Sequence, residues 1–284
     1  MTVDTPRRHP WNQGFTWPDH HGPFRIVTPA QAQAYDERGF FVLEDAFDEA
    51  TVARILTEIA PEHDAVNQFL RGIEGGRLSV AAADALTVSI HLVNRSTYLR
   101  DLCAGPVFAD LCHDLIGPDA RLYWEQAVYK WPHNPDPVPW HQDNGYTYVE
   151  PQAYLTCWVA LVDATETNGC VWAMPGLHRT GTLDHWETEL GFRCLPEGTD
   201  GAVAVPVRAG SIVVFSSLTP HWTGPNTTDE MRSAYIVQFA PDGAVALRGA
   251  PAAGAPAGRE PMDDPKRQYV VLAHGKPIDP ITPD

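Results

Sequence analysis

The segment Trp140-His-Gln-Asp-Asn144 gives the strongest indication of how this chain folds. It lies between an alternating run that ends at Lys130 and the apolar run Tyr154-Leu-Thr-Cys-Trp-Val-Ala-Leu-Val162, which is rich in β-branched and aromatic residues. Both flanking runs have the composition of β-strands. The segment is therefore predicted to hold His141 and Asp143 between two strands of a sheet.

A second triplet of the same kind, His185-Trp-Glu187, shows why the first needs its context. With 36 acidic residues among 284, a histidine two positions before a carboxylate is an ordinary coincidence for a chain with 12 histidines. The second triplet lies in the polar stretch 180–189 with no strand beside it, and we interpret it as a solvated loop.

His221 lies in surroundings like those of the first triplet. The apolar strand Gly210-Ser-Ile-Val-Val-Phe215 precedes it, and Met231 to Phe239 forms the next strand, with Arg232 near its start. This order fits a double-sheet jelly roll, whose sheets enclose a ligand pocket. The alternative, a turn-capping His221 and a surface Arg232, is weaker beside the triplet. We predict a mostly β fold with flanking helices around a double-stranded β-helix, a cupin-like jelly roll.

Three side chains form the predicted metal and catalytic centre: His141, Asp143 and His221. Two imidazoles and one carboxylate are the ligand set of the facial triad that holds non-haem Fe(II) and leaves coordination positions open. Substrate chemistry would take place at those open positions.

Composition limits the class of protein and its partners. At 284 residues and 44% hydrophobic content, the chain can bury one large core, so we expect a single domain over 1–284, with its core at about 29–240 and a C-terminal extension at 241–284. The net charge of −16 argues against nucleic acid or an anionic membrane surface as a partner. No run approaches a membrane span. We expect a monomer or homodimer that binds a small molecule.

The cysteines favour a reducing compartment. The chain has five, with no C-x-x-C pair, so a disulfide framework is not implied. Cys157 and Cys170 are expected to act as small hydrophobic residues in core strands. Residues 1–22 are polar and lack an apolar stretch of signal-peptide length. These features predict a cytoplasmic location, which also suits Fe(II).

Six motifs occur in a fixed order along the middle of the chain. They are Trp140-His-Gln-Asp-Asn144, Leu155-Thr-Cys-Trp-Val-Ala-Leu161, Asn168-Gly-Cys-Val-Trp-Ala-Met-Pro-Gly-Leu-His178, Gly210-Ser-Ile-Val-Val-Phe215, His221-x-Thr223 and Arg232. Together they resemble the phytanoyl-CoA dioxygenase family of Fe(II)- and 2-oxoglutarate-dependent oxygenases. A weaker resemblance at Tyr35-Asp-Glu-Arg-Gly-Phe-Phe-Val-Leu43 extends the match to roughly residues 29–240.

The resemblance implies a cosubstrate site for 2-oxoglutarate beside the iron, with O2 as the oxidant. Arg232 would pair bidentately with the distal carboxylate, and Thr223 would donate a hydrogen bond to the same group. Gln126 and Lys130, four residues apart on one face of a strand, would face the cosubstrate. Lys130 has an alternative interpretation as a solvated strand end. Because Asp143 is retained where related halogenases carry a small residue, halogenation is not expected.

The implied activity is that of an oxidoreductase, a dioxygenase that hydroxylates a small molecule and releases succinate and CO2. A specialised metabolite is favoured over a fatty acyl thioester, since the sequence has neither a glycine-rich phosphate loop nor a strong basic patch. Desaturation, epoxidation and cyclisation would use the same residues. Two competing hypotheses are a cupin-like metalloenzyme that does not use 2-oxoglutarate and a non-catalytic binding protein. Arg232 and Thr223 speak against the first, and the intact triad speaks against the second.

Other residues near the motifs have predicted roles in substrate contact or in structure. Tyr146 and Trp222 flank the ligands most closely and are expected to touch substrate or cosubstrate. His178 is expected to bond backbone at the mouth of the sheet and not to bind metal. Asn168-Gly169 predicts a hairpin turn that joins two strands.

Helix-capping residues mark the predicted ends of the N-terminal helices. Thr28-Pro29 predicts the start of a helix that Gly39 ends, and Asp48 predicts the cap of a second helix. Residues 64–95 are predicted to be irregular, forming either a substrate-selecting lid or an ordinary surface excursion.

Two further segments are less regular. Residues 180–202 are the second candidate for setting substrate choice. Residues 241–260 predict a low-complexity linker that packs poorly. The run 267–273 is apolar enough to pack back on the body or on a neighbouring subunit.

Overall fold

The first helix begins and ends where its capping residues predict. In the computed structural model, which describes residues 6–280, helix α1 (Pro29–Arg38) follows Thr28, whose side chain accepts a hydrogen bond from the N–H of Gln31. Gly39 ends the helix at φ +89°, a left-handed conformation that glycine adopts without a Cβ clash. The chain then enters the first strand directly.

The second helix is longer than predicted. Helix α2 (Glu49–Gly72) is capped by Asp48, as expected, but its buried stripe continues as far as Leu70. A strand follows at Leu86–Ile90. The prediction that residues 64–95 are irregular is therefore wrong, because most of this stretch is helix or sheet.

Two further helices complete the helical layer, and the strands follow in chain order. The helices are α3 (Thr97–Cys103) and α4 (Pro106–Leu115). Within residues 6–280, none of the helices has the length and apolar content needed to cross a membrane. The strands are β1 (Phe40–Leu43), β2 (Arg77–Leu78), β3 (Ala81–Ala82), β4 (Leu86–Ile90), β5 (Ala120–Lys130), β6 (Val138–His141), β7 (Val149–Glu150), β8 (Leu155–Ala160), β9 (Val171–Ala173), β10 (Trp186–Thr188), β11 (Gly191–Arg193), β12 (Val203–Val205), β13 (Ile212–Ser216), β14 (His221–Thr223), β15 (Arg232–Pro241), β16 (Val245–Arg248), β17 (Gly258–Pro261), β18 (Val270–Ala273) and β19 (Lys276–Pro277).

Two sheets pack against each other. The large sheet has the order β1-β13-β8-β15-β5-β4-β3-β2, with β18 and β19 attached to β5, and the small sheet has the order β12-β9-β14-β6. Trp158 and Ile236 of the large sheet share one buried cluster with Val171 and Ala173 of the small sheet. The predicted double-stranded β-helix is confirmed.

Strand parity decides which side chains of the large sheet face the small sheet. In β15, Ala234 and Ile236 belong to the cluster between the sheets, whereas Tyr235 and Val237 belong to the cluster beneath the helices. Because side chains alternate along a strand, Arg232 shares the inward face with Ala234 and Ile236. Its charge is therefore directed into the interior.

The turn at Asn168-Gly169 is a corner between the sheets. It connects β8 of the large sheet to β9 of the small sheet, so the prediction of a hairpin is wrong. Gly169 has φ +88°, and a Cβ there would lie 2.6 Å from the carbonyl oxygen of Gly224. Strand composition does not reveal which sheet the next strand joins, and this caused the error.

The C-terminal residues form additional sheet structure. β16 pairs with β7 and β17 in a third sheet, and Ala246 is fully buried there. The prediction that residues 241–260 pack poorly is therefore wrong for β16, where Ala246 and Leu247 are buried, whereas all four residues of β17 are exposed. β18 pairs with β5, so the expected packing of residues 267–273 on the body is confirmed.

The cysteines are all buried, and none forms a disulfide. Burial raises the pKa of each thiol, to about 11 for Cys170 and further for the other four. This agrees with the prediction that cysteines here act as small hydrophobic residues.

Candidate active site

The three predicted metal ligands come together at neighbouring strands of the small sheet. β6 and β14 are neighbours, and their register places His141 opposite His221. Asp143 begins the single helical turn Asp143–Gly145 that follows β6. One ligand atom from each residue lies within 4.8 Å of the other two, and among residues 6–280 this is the one such group of three His, Cys, Asp or Glu side chains.

Backbone carbonyls orient the two imidazoles. His141 Nδ1 lies 2.7 Å from Pro139 O, and His221 Nδ1 lies 3.0 Å from Thr219 O. Each Nδ1–H donates to its carbonyl, which leaves Nε2 unprotonated and able to bind a metal. The two Nε2 atoms lie 3.9 and 3.8 Å from Asp143 Oδ1. Three donors therefore converge on one point.

A short hydrogen-bond chain orients the carboxylate. Asp143 Oδ2 accepts a hydrogen bond of 2.5 Å from the Thr156 hydroxyl, and Gln238 Nε2 lies 3.5 Å from Thr156 Oγ1. Oδ1 is left to bind a metal. Thr156 and Gln238 were not among the predicted site residues, although each is a polar residue at an inward position of an apolar strand and is recognisable by that pattern.

Burial sets the protonation of the three side chains. It lowers the pKa values of His141 and His221 to about 4, so both imidazoles are neutral at neutral pH, which is the form that binds metal. Burial also raises the pKa of Asp143, against the lowering effects of His141 and of the Thr156 hydrogen bond. A cation at this point would favour the charged carboxylate.

Arg232 is a buried charge without a hydrogen-bond partner. The residue is 1% exposed, and none of its three guanidinium nitrogens has a hydrogen bond. The guanidinium carbon lies 5.5 Å from the ring centroid of Trp158. Burial lowers the pKa of Arg232 to about 10. A guanidinium in this state costs free energy unless an anion satisfies its planar N–H groups, and a carboxylate has the matching geometry.

Lys130 lies beside Arg232 in the large sheet and is fully buried. Its Nζ donates to the carbonyl and the hydroxyl oxygen of Thr223, each at 3.3 Å, and to the carbonyl of Gly224. The alternative that Lys130 is a solvated strand end is therefore wrong, because its ammonium connects the two sheets. Burial and then the charge of Arg232 lower the pKa of Lys130. Since the Thr223 oxygen accepts from Lys130, its O–H remains able to donate.

Gln126 shares the inward face of β5 with Lys130, as the spacing of four predicts. Its side chain lines a cavity of about 390 Å³ together with His141 and Asp143. Gln126 Oε1 accepts a hydrogen bond of 3.1 Å from Trp124 Nε1, which leaves the amide NH2 able to donate.

Tyr146 lines the same cavity. Its ring packs edge-on against His141 at a centroid distance of 5.3 Å, and Phe192 packs on its ring at 5.4 Å. The residue is 43% exposed, which is unusual for a large aromatic residue beside a buried site. Its position suits the predicted contact with substrate.

Trp222 lies on the other face of β14. It alternates with His221 and Thr223, and its ring packs against Trp140 and Trp172 at 5.9 Å each. It is not among the residues that line the cavity. This placement gives no support to a substrate contact.

His178 has the structural role that the sequence suggests. Its Nε2 lies 3.1 Å from Asp36 O, and its ring packs edge-on against Trp17 at 4.4 Å. Burial lowers the pKa of His178 to about 4. It does not belong to the group of metal-ligand side chains.

His185 supports the turn that carries Asp143, so the interpretation of its triplet as a solvated loop is wrong for this residue. His185 Nε2 accepts from the Gln142 N–H at 2.9 Å, and its Nδ1 lies 2.9 Å from Leu183 O. Burial lowers the pKa of His185 to about 4, which keeps it a neutral acceptor. A Cβ on Gly145 would overlap this ring. No local pattern in the sequence indicates the contact, since 43 residues separate the partners.

The residues present fit both a divalent metal and a dicarboxylate. Two neutral imidazole nitrogens and one carboxylate oxygen are the donor set of non-haem Fe(II), and the unpaired guanidinium matches a carboxylate. Fold and site together define a double-stranded β-helix protein of the non-haem iron, 2-oxoglutarate-dependent class.

Within that class, the family model described as phytanoyl-CoA dioxygenase (PhyH) matches residues 35–234, and the chain belongs to this family. Phytanoyl-CoA dioxygenase domain-containing protein 1 of Rattus norvegicus is 32% identical over 257 residues, covering 74% of this chain and 88% of the relative. Phytanoyl-CoA dioxygenase of Arabidopsis thaliana is 30% identical over 141 residues, covering 48% of this chain. The chain covers 50%, 40% and 42% of the lengths of the Arabidopsis, rice and mouse relatives.

A solved structure supports the fold. The epimerase SnoN, in complex with Fe3+, alpha ketoglutarate and nogalamycin RO, superposes with a TM-score of 0.65 at 23% identity, covering 85% of this chain and 97% of SnoN. At this level of identity the likeness concerns the fold, and it agrees with the jelly roll described above.

Proposed function

We propose that the protein is an Fe(II)- and 2-oxoglutarate-dependent dioxygenase that hydroxylates a small molecule. His141, Asp143 and His221 would hold the iron. When bound, iron and 2-oxoglutarate supply, with O2, the oxidation of a substrate C–H bond and the release of succinate and CO2. Desaturation, epoxidation and cyclisation are alternative outcomes of the same chemistry.

The unpaired guanidinium of Arg232 is the observation that carries this proposal. Lys130 is its neighbour across the strands and also contacts Thr223, two residues after His221. The charge therefore belongs to the same region of the interior as the triad. A metalloenzyme that does not use 2-oxoglutarate needs the metal triad but has no use for an anion-binding guanidinium beside it. A non-catalytic binding protein needs neither the triad nor the guanidinium.

The surrounding residues would bind and orient the cosubstrate. Arg232 would form a bidentate pair with the distal carboxylate, and Thr223 would donate its hydroxyl hydrogen to the same group. Lys130 would add positive charge without a direct bond, since its ammonium is already held by backbone and Thr223 oxygens. Gln126 would donate its free amide hydrogens from the cavity side.

The compared proteins support the pairing of iron with 2-oxoglutarate. SnoN was solved with Fe3+ and alpha ketoglutarate in a chain of the same fold. Because SnoN is described as an epimerase, hydroxylation is not the outcome for every protein of this fold.

We further propose a single domain. The first and the last of the long-range strand pairings join the same large sheet, since β1 pairs with β13 and β18 pairs with β5. The N-terminal and C-terminal parts of the described chain thus depend on one core.

An anaerobic titration tests the proposed function without requiring a substrate. Fe(II) and then 2-oxoglutarate are added to the protein, and the weak visible charge-transfer band of the iron–2-oxoglutarate complex is measured. Asp143→Ala and Arg232→Ala are expected to weaken the band. Arg179→Ala, which removes a half-exposed surface charge, is the matched control and is expected to leave it unchanged. Bound iron without a band would favour a cupin-like enzyme that does not use 2-oxoglutarate.

A further inference from the structure

The cavity beside the triad has walls that are almost free of charge. It has a volume of about 390 Å³ and reaches His141 and Asp143. Apart from Asp143, no residue that lines it among residues 6–280 carries a formal charge at neutral pH. A substrate that reaches the metal must therefore enter an uncharged space.

One wall of the cavity is aliphatic. Val88 and Val128 are register partners on β4 and β5, and Val138, at the start of β6, lines the cavity with them. These side chains offer apolar surface and no hydrogen-bond donor or acceptor.

Another part of the wall is aromatic. Tyr123, Trp124, Tyr146 and Tyr154 contribute rings, which favour flat or apolar groups through stacking and edge contacts. Apart from His141, Asp143 and the Trp124 indole, the polar side chains of the described wall carry hydroxyl or amide groups, as Thr147 and Gln238 do. These can orient a neutral ligand but cannot neutralise an anion.

The buried cations are unavailable to a substrate. Lys130 is occupied by oxygens of Thr223 and Gly224, and neither Lys130 nor Arg232 lines the cavity. Burying an unpaired anion in such a space costs several kcal/mol, as a group that leaves water needs a compensating charge or donor. The chain's net charge of −16 also disfavours the approach of anions.

Residues 64–95 contribute to the wall directly, and a residue of the segment 180–202 packs against one of the lining side chains. Val80, in the hairpin of β2 and β3, lines the cavity, and Phe192, in the hairpin of β10 and β11, packs behind Tyr146. The two hairpins approach each other at Gly191, where a Cβ would lie 3.4 Å from Tyr146 Oη and 3.7 Å from Ser79 Oγ. Residues in these hairpins therefore limit the shape of the ligand.

We propose that the substrate is an uncharged, largely apolar small molecule that contains a ring system and a few hydroxyl or carbonyl groups. A phosphonate or a carboxylate that entered the cavity would find no cationic side chain in its described wall. This inference rests on the proposed function, because it assumes that the cavity next to the triad holds the oxidised molecule. The cavity volume lies near the lower end of the range for small-molecule pockets, roughly 300–1,000 Å³, and the 2-oxoglutarate that Gln126 would contact takes part of it, so the remaining space suits a compact ligand.

A matched pair of probes tests the polarity of the site. Binding of 2-naphthylmethanol and of 2-naphthoate is measured by calorimetry under nitrogen, with the protein carrying Fe(II) and 2-oxoglutarate and again with metal-free protein. The neutral alcohol is expected to bind at least about tenfold more tightly than the carboxylate, a difference of about 1.4 kcal/mol. Equal affinity, tighter binding of the carboxylate, or no binding of either probe would overturn the proposal.

A variant of the wall sharpens the test. Val88→Lys places a cation in the aliphatic wall and is expected to raise naphthoate affinity at least about tenfold, whereas Val88→Met, of similar length, is not. If the two variants behave alike, the wall is not the surface that discriminates charge. Thermal unfolding of both variants verifies that they fold. The outcome is separable from the proposed function, since metal-free protein reports on the cavity even where no charge-transfer band forms.

Discussion

Replacing Arg232 by methionine is expected to stabilise the ligand-free protein while removing its response to 2-oxoglutarate. Burial lowers the pKa of Arg232 to about 10, and at about 1.36 kcal/mol per pKa unit this corresponds to a cost on the order of 3 kcal/mol for the charged form. The depressed pKa means that the unfolded chain holds this proton more tightly than the folded chain. The cost is therefore fully present at neutral pH. Methionine removes the charge and keeps much of the apolar stem.

The assay is thermal unfolding with and without Fe(II) and 2-oxoglutarate under nitrogen. The ligand-free variant should melt roughly 6–12 °C above the unmodified protein, since each kcal/mol of the lost cost corresponds to about 2–4 °C in a large domain. Loss of a buried, bidentate charge pair costs roughly 2–5 kcal/mol of binding, or about 30-fold to several thousand-fold in Kd. The stabilisation by 2-oxoglutarate should therefore disappear at millimolar concentrations.

Arg100 provides a matched control. It is also buried, but it donates to the carbonyl oxygens of Lys266 and Pro265 at 2.6 and 3.0 Å. Arg100→Met should therefore destabilise the protein and leave the response to 2-oxoglutarate intact. A ligand-free Arg232→Met protein that melts below the unmodified one would refute the view that the guanidinium lacks a partner.

Three further predictions concern the supports of the site and the buried acid of the helical side. His185→Ala should weaken Fe(II) binding about tenfold, measured by calorimetry, because it releases the Gln142 N–H, whereas His178→Ala should lower stability without changing iron affinity. Thr156→Val should also weaken iron binding about tenfold, because Asp143 Oδ2 loses its donor; an unchanged Kd would show that the carboxylate needs no such support. Glu125 is 1% exposed, accepts from the Tyr235 hydroxyl and the Val93 N–H, and has a pKa raised by burial to about 7. The folded protein holds this proton more tightly than the unfolded chain, so the contribution to stability is present in acid and is lost as the pH rises through about 7. Glu125→Gln removes the titrating group. In urea titrations between about pH 5 and 8, the variant should therefore show a smaller fall in unfolding free energy than the unmodified protein, by up to roughly 3 kcal/mol.

The site was predictable to the extent that its residues are marked by local patterns. His141 and His221 each end or begin a short strand, and the structure places them opposite each other in the small sheet. Inward-facing positions also follow from parity, as for Gln126 and Lys130. The alternation of side chains between the two faces depends only on the pleat of the strand, so the face on which a residue lies can be predicted from the sequence.

Helix α2 shows where periodicity fails. Its buried stripe includes His63 and Asn67, which bond to Thr87 and Asp84, so the apolar repeat fades although the helix continues. A polar side chain that finds a partner on a neighbouring element can fill a core position. Such a partner is not visible in the local sequence.

Contacts between distant segments were the other limit. His185 reaches the turn that carries Asp143 from a distant segment, and its triplet shares the pattern of the first triplet. Trp222 lies next to His221 in sequence but on the opposite face of the strand. Proximity along the chain favoured Trp222, whereas the structure brings His185 to the site.

The burial of the cysteines has a consequence for the durability of an oxygen-activating protein. Oxygen activation that proceeds without substrate releases oxidants. These oxidants attack thiolates first, at rates set by the thiolate fraction and the exposure of each cysteine. Here all five thiols are enclosed and held in the protonated form. Oxidants that form at the candidate site would therefore meet the rings of the cavity, of which Tyr146 is the exposed one, before they meet a thiol.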